Sequence, residues 1–314
     1  MAEANAPQTS TPLLARLDRR AIYAAVALAL VVPLLFKWRL PPAEMASARK
    51  FYNAVEALPS DESSLVLISA DWGPGTKAEN EPQTEVLIEH LMRRRVHFAC
   101  LSIVPDAEPF LRDIPERVAK RLHSENPREK WEYGKDWVNL GFQPGGGTMV
   151  QKIAAAKDIL QALGLDARGT PLTEVPCLRN VKSIKNVKLM AEFTGLVGAL
   201  DTWLSFFQTS EYRPPMAHGC TSITIPEAYI YLDSRQLVGL HEGIAGAAAH
   251  SALLSRKYKD RGPDMAIVSN TALAVAHVAI IVLIILGNVG MVLAKRKAAA
   301  PPAAPVPAGQ EGTA

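Results

Sequence analysis

One stretch, residues 63–104, constrains the fold of this chain more than any other. Two short apolar runs, at 65–68 and 96–104, flank a segment that opens with glutamates and closes on three arginines at 93–95. Short apolar runs indicate buried strands, and acidic residues first and basic residues last complement a helix dipole. We expect the helix to begin near Glu81. Strand, helix and strand predict a βαβ unit and therefore a parallel sheet with a right-handed crossover.

Two long uncharged runs, at residues 21–36 and 266–294, indicate membrane helices. At about 1.5 Å per residue the second run is long enough to cross a bilayer. The first reaches that length when it is extended to residue 40, with Lys37 and Arg39 at the interface. The predicted organisation is a disordered tail at 1–20, a transmembrane helix at 21–40, an α/β domain at 43–263, a transmembrane helix at 266–294 and a Pro/Ala-rich tail at 295–314.

Charge distribution bears on partners and location. The whole chain carries a net charge of +3, yet residues 41–265 hold 26 basic and 28 acidic side chains, so the excess belongs to the membrane flanks. This balance argues against nucleic acid as a partner.

Ala46-Ser47-Ala48 resembles a signal-peptide cleavage site, but it lies some ten residues beyond the first apolar run. We therefore expect an integral protein of the cell (inner) membrane, with cytoplasmic termini and an extracytoplasmic central domain.

The rest of the central domain alternates helices and strands by its hydrophobic periodicity. In the segment 234–258, glycines recur every three or four residues, which allows close backbone approach. His241 and His250 are nine residues apart, so one helix would place them on opposite faces, with His241 on a solvated face. The further expected elements are helices at 46–58, 106–123, 148–163, 198–208 and 234–258, strands at 186–193 and 221–225, and loops at 131–147 and 213–219.

Four segments together resemble a known family. They are LDRRAIY at 17–23, LISADW at 67–72, YGKDWVNLGF at 133–142 and the glycine-spaced segment after Ser234. They resemble prokaryotic membrane proteins that carry a flavodoxin-like or Rossmann-like domain between two membrane helices. The resemblance implies an α/β fold with an open, mostly parallel sheet flanked by two transmembrane helices, and no established activity. Ala249-His250 departs from the Glu-Tyr expected there, so no shared role is assigned to that position.

Ligands of open α/β sheets bind beyond the carboxyl ends of the strands. We expect polar residues of that edge, and of the 131–147 segment folding over it, to form a candidate site. The candidate ligand-binding residues are Asp71, Lys77, Tyr133, Lys135, Asp136 and Asn139. Two interpretations stay open: a binding cleft closed by a glycine-hinged loop, or a structural loop in which Asp136 and Asn139 cap backbone groups.

Catalytic and cofactor motifs are weak. Gly73-x-Gly75-x-x-Ala78 after a strand resembles a dinucleotide fingerprint, but Pro74 removes an amide donor and no acidic residue ends the next strand. No GxSxG, HExxH or CxxC occurs. His218-x-Cys220 is a weak candidate for a thiol–imidazole pair. We predict no cofactor and no metal. The chain is either a membrane-tethered binding or interaction subunit or an enzyme that uses the strand-end cleft.

The second apolar run contains a polar stripe. Asn270, His277 and Asn288 are separated by seven and eleven residues, and each step misses a whole number of helical turns by only about 20°. His277 lies about 10 Å inside Asn270 along the helix, where polar side chains normally face a partner helix. The stripe therefore predicts a transmembrane helix partner.

Overall fold

The computed structural model describes residues 18–262 and 265–299, with side chains through residue 296. The chain forms two compact units. One is Lys37–Thr271, and the other combines residues 18–36 with 272–299. The outer parts of the two predicted tails, 1–17 and 300–314, lie outside the described residues.

A six-stranded sheet, parallel throughout, forms the centre of the larger unit, with the order β3-β2-β1-β4-β5-β6. This is the strand order of the Rossmann fold, and the predicted α/β class with an open parallel sheet is confirmed. The strands are β1 Leu65–Asp71, β2 Phe98–Ser102, β3 Trp137–Phe142, β4 Val187–Thr194, β5 Met216–Cys220 and β6 Leu237–Glu242. The helices are α1 Arg19–Leu35, α2 Ala46–Glu56, α3 Lys77–Arg94, α4 Glu108–Glu125, α5 Gly146–Ala155, α6 Ile159–Leu163, α7 Ala199–Phe206, α8 Ile225–Asp233, α9 Gly243–Lys257 and α10 Met265–Ala299.

The βαβ unit predicted from the opening stretch is present as β1, α3 and β2. All seven residues of β1 are buried, as expected for a central strand covered by helices on both faces. Helix α3 begins at Lys77, four residues before the predicted start. A short helical turn at Pro74–Thr76 leads directly into it, so Pro82 lies inside the helix.

Several boundaries differ from the sequence predictions. The predicted helix at 234–258 is β6 followed by α9, because the 237–242 segment pairs in parallel with β5. The 213–219 loop contains β5, and residues 221–224 form a turn before α8 instead of a strand. The 131–147 loop contains β3 at the sheet edge. The predicted helix at 148–163 ends at Ala155, and Asp158 caps α6 by accepting from two backbone N–H groups.

The number of membrane helices is also corrected. Among the described residues, one helix rather than two is long and apolar enough to cross a membrane, at Met265–Arg296. Helix α1 has 17 residues, about 26 Å at 1.5 Å each. It stops at Leu35 because Lys37 takes a left-handed conformation with φ 50°, so the helix does not extend to residue 40.

A close approach between β6 and α2 gives a test of the fold. A Cβ atom at Gly239 would lie 2.3 Å from the Cα atom of Phe51, which is backbone and has no rotamer to change. We expect Gly239→Ala to lower the free energy of unfolding by about 1–3 kcal/mol through overpacking, measured by denaturant titration. Gly75→Ala is the control, since nothing lies within 4 Å of its Cβ position. Equal effects of the two substitutions would contradict this packing.

Candidate functional site

The structure separates the six candidate residues into three places. Asp71 is fully buried at the end of β1. Lys77 begins α3, 3.6 Å from the Glu81 carboxylate and over the ring of Phe110. The other four lie on or beside β3, at one edge of the sheet. The six side chains therefore do not line one cleft.

Near β3, the polar side chains form hydrogen bonds with backbone groups and side chains of the same segment. The Asp136 carboxylate accepts the N–H of Glu132 at 2.7 Å, and Asn139 Oδ1 accepts the N–H of Gly141 at 2.8 Å. Lys135 donates to the Glu132 carboxylate at 2.5 Å. These hydrogen bonds match the interpretation in which the segment is a structural loop with side-chain caps.

Tyr133 and Asn139 also line a surface pocket of about 190 Å³. The Tyr133 hydroxyl donates to the Asp166 carboxylate at 2.8 Å, and the Arg168 guanidinium lies 3.5 Å from the centre of its ring. Arg168 in turn donates to Glu116 at 3.0 Å. The pocket's second arginine, Arg112, is paired with Asp113. Because both cations have carboxylate partners, the pocket offers no excess positive charge for an anionic ligand.

A Rossmann fold binds its ligand at the switch point between β1 and β4. In this chain, the loops that follow the strands contact one another at that place. A Cβ atom at Gly195, directly after β4, would lie 2.5 Å from Thr76 Cγ2, so the loop after β1 packs closely there. The Glu79 carboxylate, in the first turn of α3, accepts from the backbone N–H and hydroxyl of Ser222. A carboxylate therefore already occupies the helix end that would attract a phosphate.

Asp71 is the centre of a buried hydrogen-bond network. One carboxylate oxygen accepts from the Ser102 hydroxyl at 3.0 Å and the Ile103 N–H at 2.8 Å. The other accepts from the Ser69 hydroxyl and from Trp203 Nε1, both at 2.8 Å. Burial raises the pKa of Asp71, and these four donors oppose that shift. With its acceptor positions filled by the protein, Asp71 joins β1, β2 and α7.

A second buried acid lies beside this network. Glu192 on β4 is in register with Ser69 on β1 and with His218 on β5, so the three side chains share one face of the sheet. Glu192 Oε2 lies 2.5 Å from His218 Nδ1. Burial raises the pKa of Glu192 to about 7, although the neighbouring His218 lowers it. We name these side chains the central polar row: Ser102, Asp71, Ser69, Glu192 and His218.

Three further histidines line up on the opposite face, where β6 meets α2, α3 and α9. His90 Nδ1 lies 2.9 Å from His250 Nε2, and His250 Nδ1 lies 2.8 Å from His241 Nε2. The other end of the series is Glu56, whose carboxylate lies 3.0 Å from His90 Nε2. The prediction that His241 and His250 lie apart, with His241 in solvent, is wrong. His241 is on β6 and His250 is on α9, and both are fully buried.

Sequence reasoning named Asp71 and His218 separately but missed the buried cluster that they share with Glu192, and it missed the histidine series, although a signal for the first cluster was present. Glu192 and His218 interrupt apolar strands in the middle of the sheet, where an ionisable residue requires a partner. Their pairing depends on β4 lying beside β5, which no short-range pattern reports. Within the described residues, no group of three or more His, Cys, Asp or Glu side chains is arranged to hold a metal ion. The histidine rings face one another in series and do not converge on a point.

Comparison with models of known protein families, with curated proteins and with solved structures finds no match for this chain. The central polar row contains Glu192, whose pKa is raised by burial to about 7, and the histidine series is a continuous set of ring-to-ring contacts. Both lie inside the domain, away from the surface pocket at β3.

Removal of the Asp71 carboxylate tests its structural role. Asp71→Ala leaves four buried donors without this acceptor. We expect the free energy of unfolding to fall by about 3 kcal/mol or more, since each unsatisfied buried group costs about 1–3 kcal/mol. Asp136→Ala removes one cap and should cost about 1 kcal/mol. Denaturant titration measures both, and an unchanged midpoint for Asp71→Ala would contradict the network.

Buried histidines make stability depend on pH in a defined direction. Burial lowers the pKa of His90 to about 4 and that of His241 to about 3, and it lowers the pKa of His250 strongly. Below about pH 6.5 the unfolded chain binds protons that the folded chain does not, so the free energy of unfolding decreases as pH falls. Each ring contributes up to about 1.4 kcal/mol per pH unit. His250→Gln should make this slope shallower by that amount.

Glu192 provides the control for this slope, because its raised pKa changes stability with pH in the opposite direction. Its raised pKa makes the folded chain bind a proton between about pH 7 and about pH 4.5, which stabilises the fold as pH falls. Glu192→Gln should therefore steepen the loss of stability, whereas His250→Gln weakens it. Denaturant titrations at several pH values measure the slope. Changes of the same sign in both variants would contradict the assignment.

Proposed function

We propose that this protein is a membrane-anchored α/β domain that acts as a binding or interaction subunit of a membrane complex. The observation that carries the proposal is the exposure of α10: only 11% of its most apolar stretch is buried. A soluble protein buries such a helix in its core, whereas a bilayer accepts its exposed apolar surface. The family resemblance, to membrane proteins with a Rossmann-like domain, is part of the same proposal.

Polar geometry supports an interaction subunit over the alternative, an enzyme acting at the strand ends. An enzyme needs polar groups that converge in a cleft and still have hydrogen-bonding positions free for a substrate. Here Asp71 is saturated by internal donors, and Asp136 and Asn139 accept from backbone N–H groups. Lys77 and Lys135 are at exposed ion pairs on different elements. These groups support the fold and leave no assembled catalytic set among them.

The polar stripe of α10 supports a helix partner. His277 and Asn288 are exposed, and Asn270 is half-buried. Within the unit that contains most of α10, the buried positions of this helix are instead Ala272, Ala276 and Gly290. A polar side chain in hydrocarbon normally faces another helix. We therefore propose that the exposed stripe binds a further membrane helix.

Charge near the ends of α10 supports one orientation. Lys295 and Arg296 follow the apolar segment directly, and the positive-inside rule places such residues in the cytoplasm. The basic residues before α10 are engaged within the fold. Arg256 pairs with Glu44, Lys257 with Glu56 and Arg261 with Glu89. We propose an extracytoplasmic α/β domain, with α10 in the cell membrane and the C-terminus inside.

Labelling of introduced cysteines tests the orientation. The three native cysteines are buried, so an impermeant thiol reagent has little background. We expect Ser124→Cys, at an exposed position of α4, to be labelled in intact cells and Ala308→Cys to be labelled only after permeabilisation. The reverse pattern would place the domain in the cytoplasm. Labelling of both after cell breakage without detergent, with release of the chain into the soluble fraction, would exclude a membrane anchor.

Crosslinking tests the partner helix. A cysteine at Ile281, one turn after His277 on the same face, should capture a second membrane segment. His277→Leu should reduce that capture by roughly 3- to 20-fold, since hydrogen bonds between membrane helices contribute about 0.6–1.7 kcal/mol. Val275→Leu, on the opposite face, is the matched control. The idea fails if no segment is captured, or if both variants behave alike.

A further inference from the structure

The series of rings on the histidine face has a fixed hydrogen-bond direction. Lys257 Nζ donates to both carboxylate oxygens of Glu56, at 2.8 Å to Oε1 and 2.7 Å to Oε2. Burial alone would raise the pKa of Glu56, but hydrogen bonds from Lys257 and His90 bring it down to about 2. Glu56 is therefore a carboxylate and can only accept. It follows that His90 Nε2 carries the hydrogen in the contact with Glu56.

This direction propagates from ring to ring. A neutral imidazole has one donor and one acceptor nitrogen. With Nε2 of His90 as the donor, its Nδ1 must accept from His250 Nε2. The same argument makes His250 Nδ1 the acceptor for His241 Nε2. All three rings are thus Nε2–H tautomers, and the last acceptor in the series is Nδ1 of His241.

That terminal atom has no protein partner. His241 is fully buried, and no hydrogen-bond donor among the described residues reaches its Nδ1 atom. A second acceptor without a partner, Gln83 Oε1, faces Gly219, the residue paired with His241 in the sheet. Flipping the Gln83 amide would not give Oε1 a partner, because Nε2 donates to the carbonyls of Glu79 and Cys220, both at 3.0 Å, and must stay where it is.

The two buried acceptors lie against paired positions of β5 and β6, and a water molecule, with its two hydrogens, can donate to both. We propose that Glu56, His90, His250 and His241 form a proton relay whose inner end, Nδ1 of His241, binds a water molecule that donates to it and to Gln83. This site is separate from the membrane partner and from the surface pocket at β3.

The relay moves one proton between this inner site and solvent. When the bound water carries an excess proton as hydronium, one O–H bond breaks, the His241 Nδ1–H bond forms and water remains. His241 then passes its Nε2 proton to His250 Nδ1, and His250 passes its own to His90 Nδ1. His90 passes its Nε2 proton to Glu56, which releases it to solvent. One proton enters, one leaves, and the three rings become Nδ1–H tautomers.

Charges around the series favour movement outward. The groups whose charges act on it are Glu56 from α2, Arg94 from α3, Lys257 from α9 and Arg261 from the segment before α10, with His218 of β5 acting from the other face of the sheet. Among these, Glu56 is the anion, and it lies at the outer end with its side chain 23% exposed. Glu56 raises the pKa of His90 and is opposed there by Lys257 and Arg94, whereas the neighbouring charges that act on His241 and His250 all lower the pKa of those rings. An excess proton is therefore held better on His90 than on the two inner rings.

Nitrogen-15 NMR of the full chain, labelled at histidine and held in detergent micelles, tests the relay. Single His→Gln variants assign the seven histidines. At pH 7 we expect His90, His250 and His241 to be neutral Nε2–H tautomers, and the His241 ring protons to show a cross-peak to water. A protonated Nδ1 on His241 in the resting protein would overturn the direction, and a missing cross-peak would overturn the bound water.

Glu56→Gln separates a relay from simple packing. An amide both donates and accepts, so the direction is no longer fixed, and the Nδ1–H tautomer of His241 should become comparable in population to the Nε2–H tautomer. The effect is read at the third ring of the series, with His90 and His250 between it and the substitution. Glu44→Gln is the matched control, because Glu44 pairs with Arg49 and Arg256 and not with the rings. A folded Glu56→Gln protein, checked by circular dichroism, with unchanged His241 signals would overturn the relay.

Discussion

The carboxylate of Asp71 holds together the centre of this sheet. It accepts four hydrogen bonds, from β1, from the end of β2, from the loop that follows β2 and from α7. A charged carboxylate without partners is very costly to bury, whereas one whose acceptor sites are filled can be tolerated and fixes its neighbours in place. The position at the end of β1 is where a Rossmann fold binds its ligand. Here internal donors fill the acceptor positions of the carboxylate, so Asp71 supports the fold at the place where other Rossmann folds hold a ligand.

The two faces of the sheet carry different chemistry because side chains alternate along each strand. Acids and His218 lie with Asp71 on one face, and the three-ring series lies on the other. Two glycines make the second arrangement possible. Gly239 lets the backbone of Phe51 approach β6, and Gly219 lets the Gln83 amide approach β5. A side chain at either position would displace α2 or α3, and with them the rings that connect Glu56 to His241.

Sequence reasoning succeeded where the decisive contacts are local. The β1–α3–β2 unit was predicted because its strands, turn and helix are contiguous, and Asp71 was placed correctly at the end of β1. It failed where the decisive contacts are distant. The segment around Gly239 has helix-like glycine spacing, and only its pairing with β5 makes it a strand. That error also placed His241 and His250 on one helix, so their contact could not be seen. Tyr133 and Asn139 were expected beside Asp71, but β3 lies at the sheet edge, two strands away.

The segment that leads to α10 shares its two supporting helices with the histidine series. Arg261 donates to both oxygens of the buried Glu89 at 2.7 Å, and it also donates to the backbone and hydroxyl of Ser251. Glu89 precedes His90 in α3, and Ser251 follows His250 in α9. A proton on the rings therefore adds positive charge one residue away from the groups that hold Arg261. Because breaking a buried ion pair is strongly destabilising, α3 and α9 must stay in register for both contacts to persist. The contacts that order the rings and the contacts that hold Arg261 therefore depend on the same two helices.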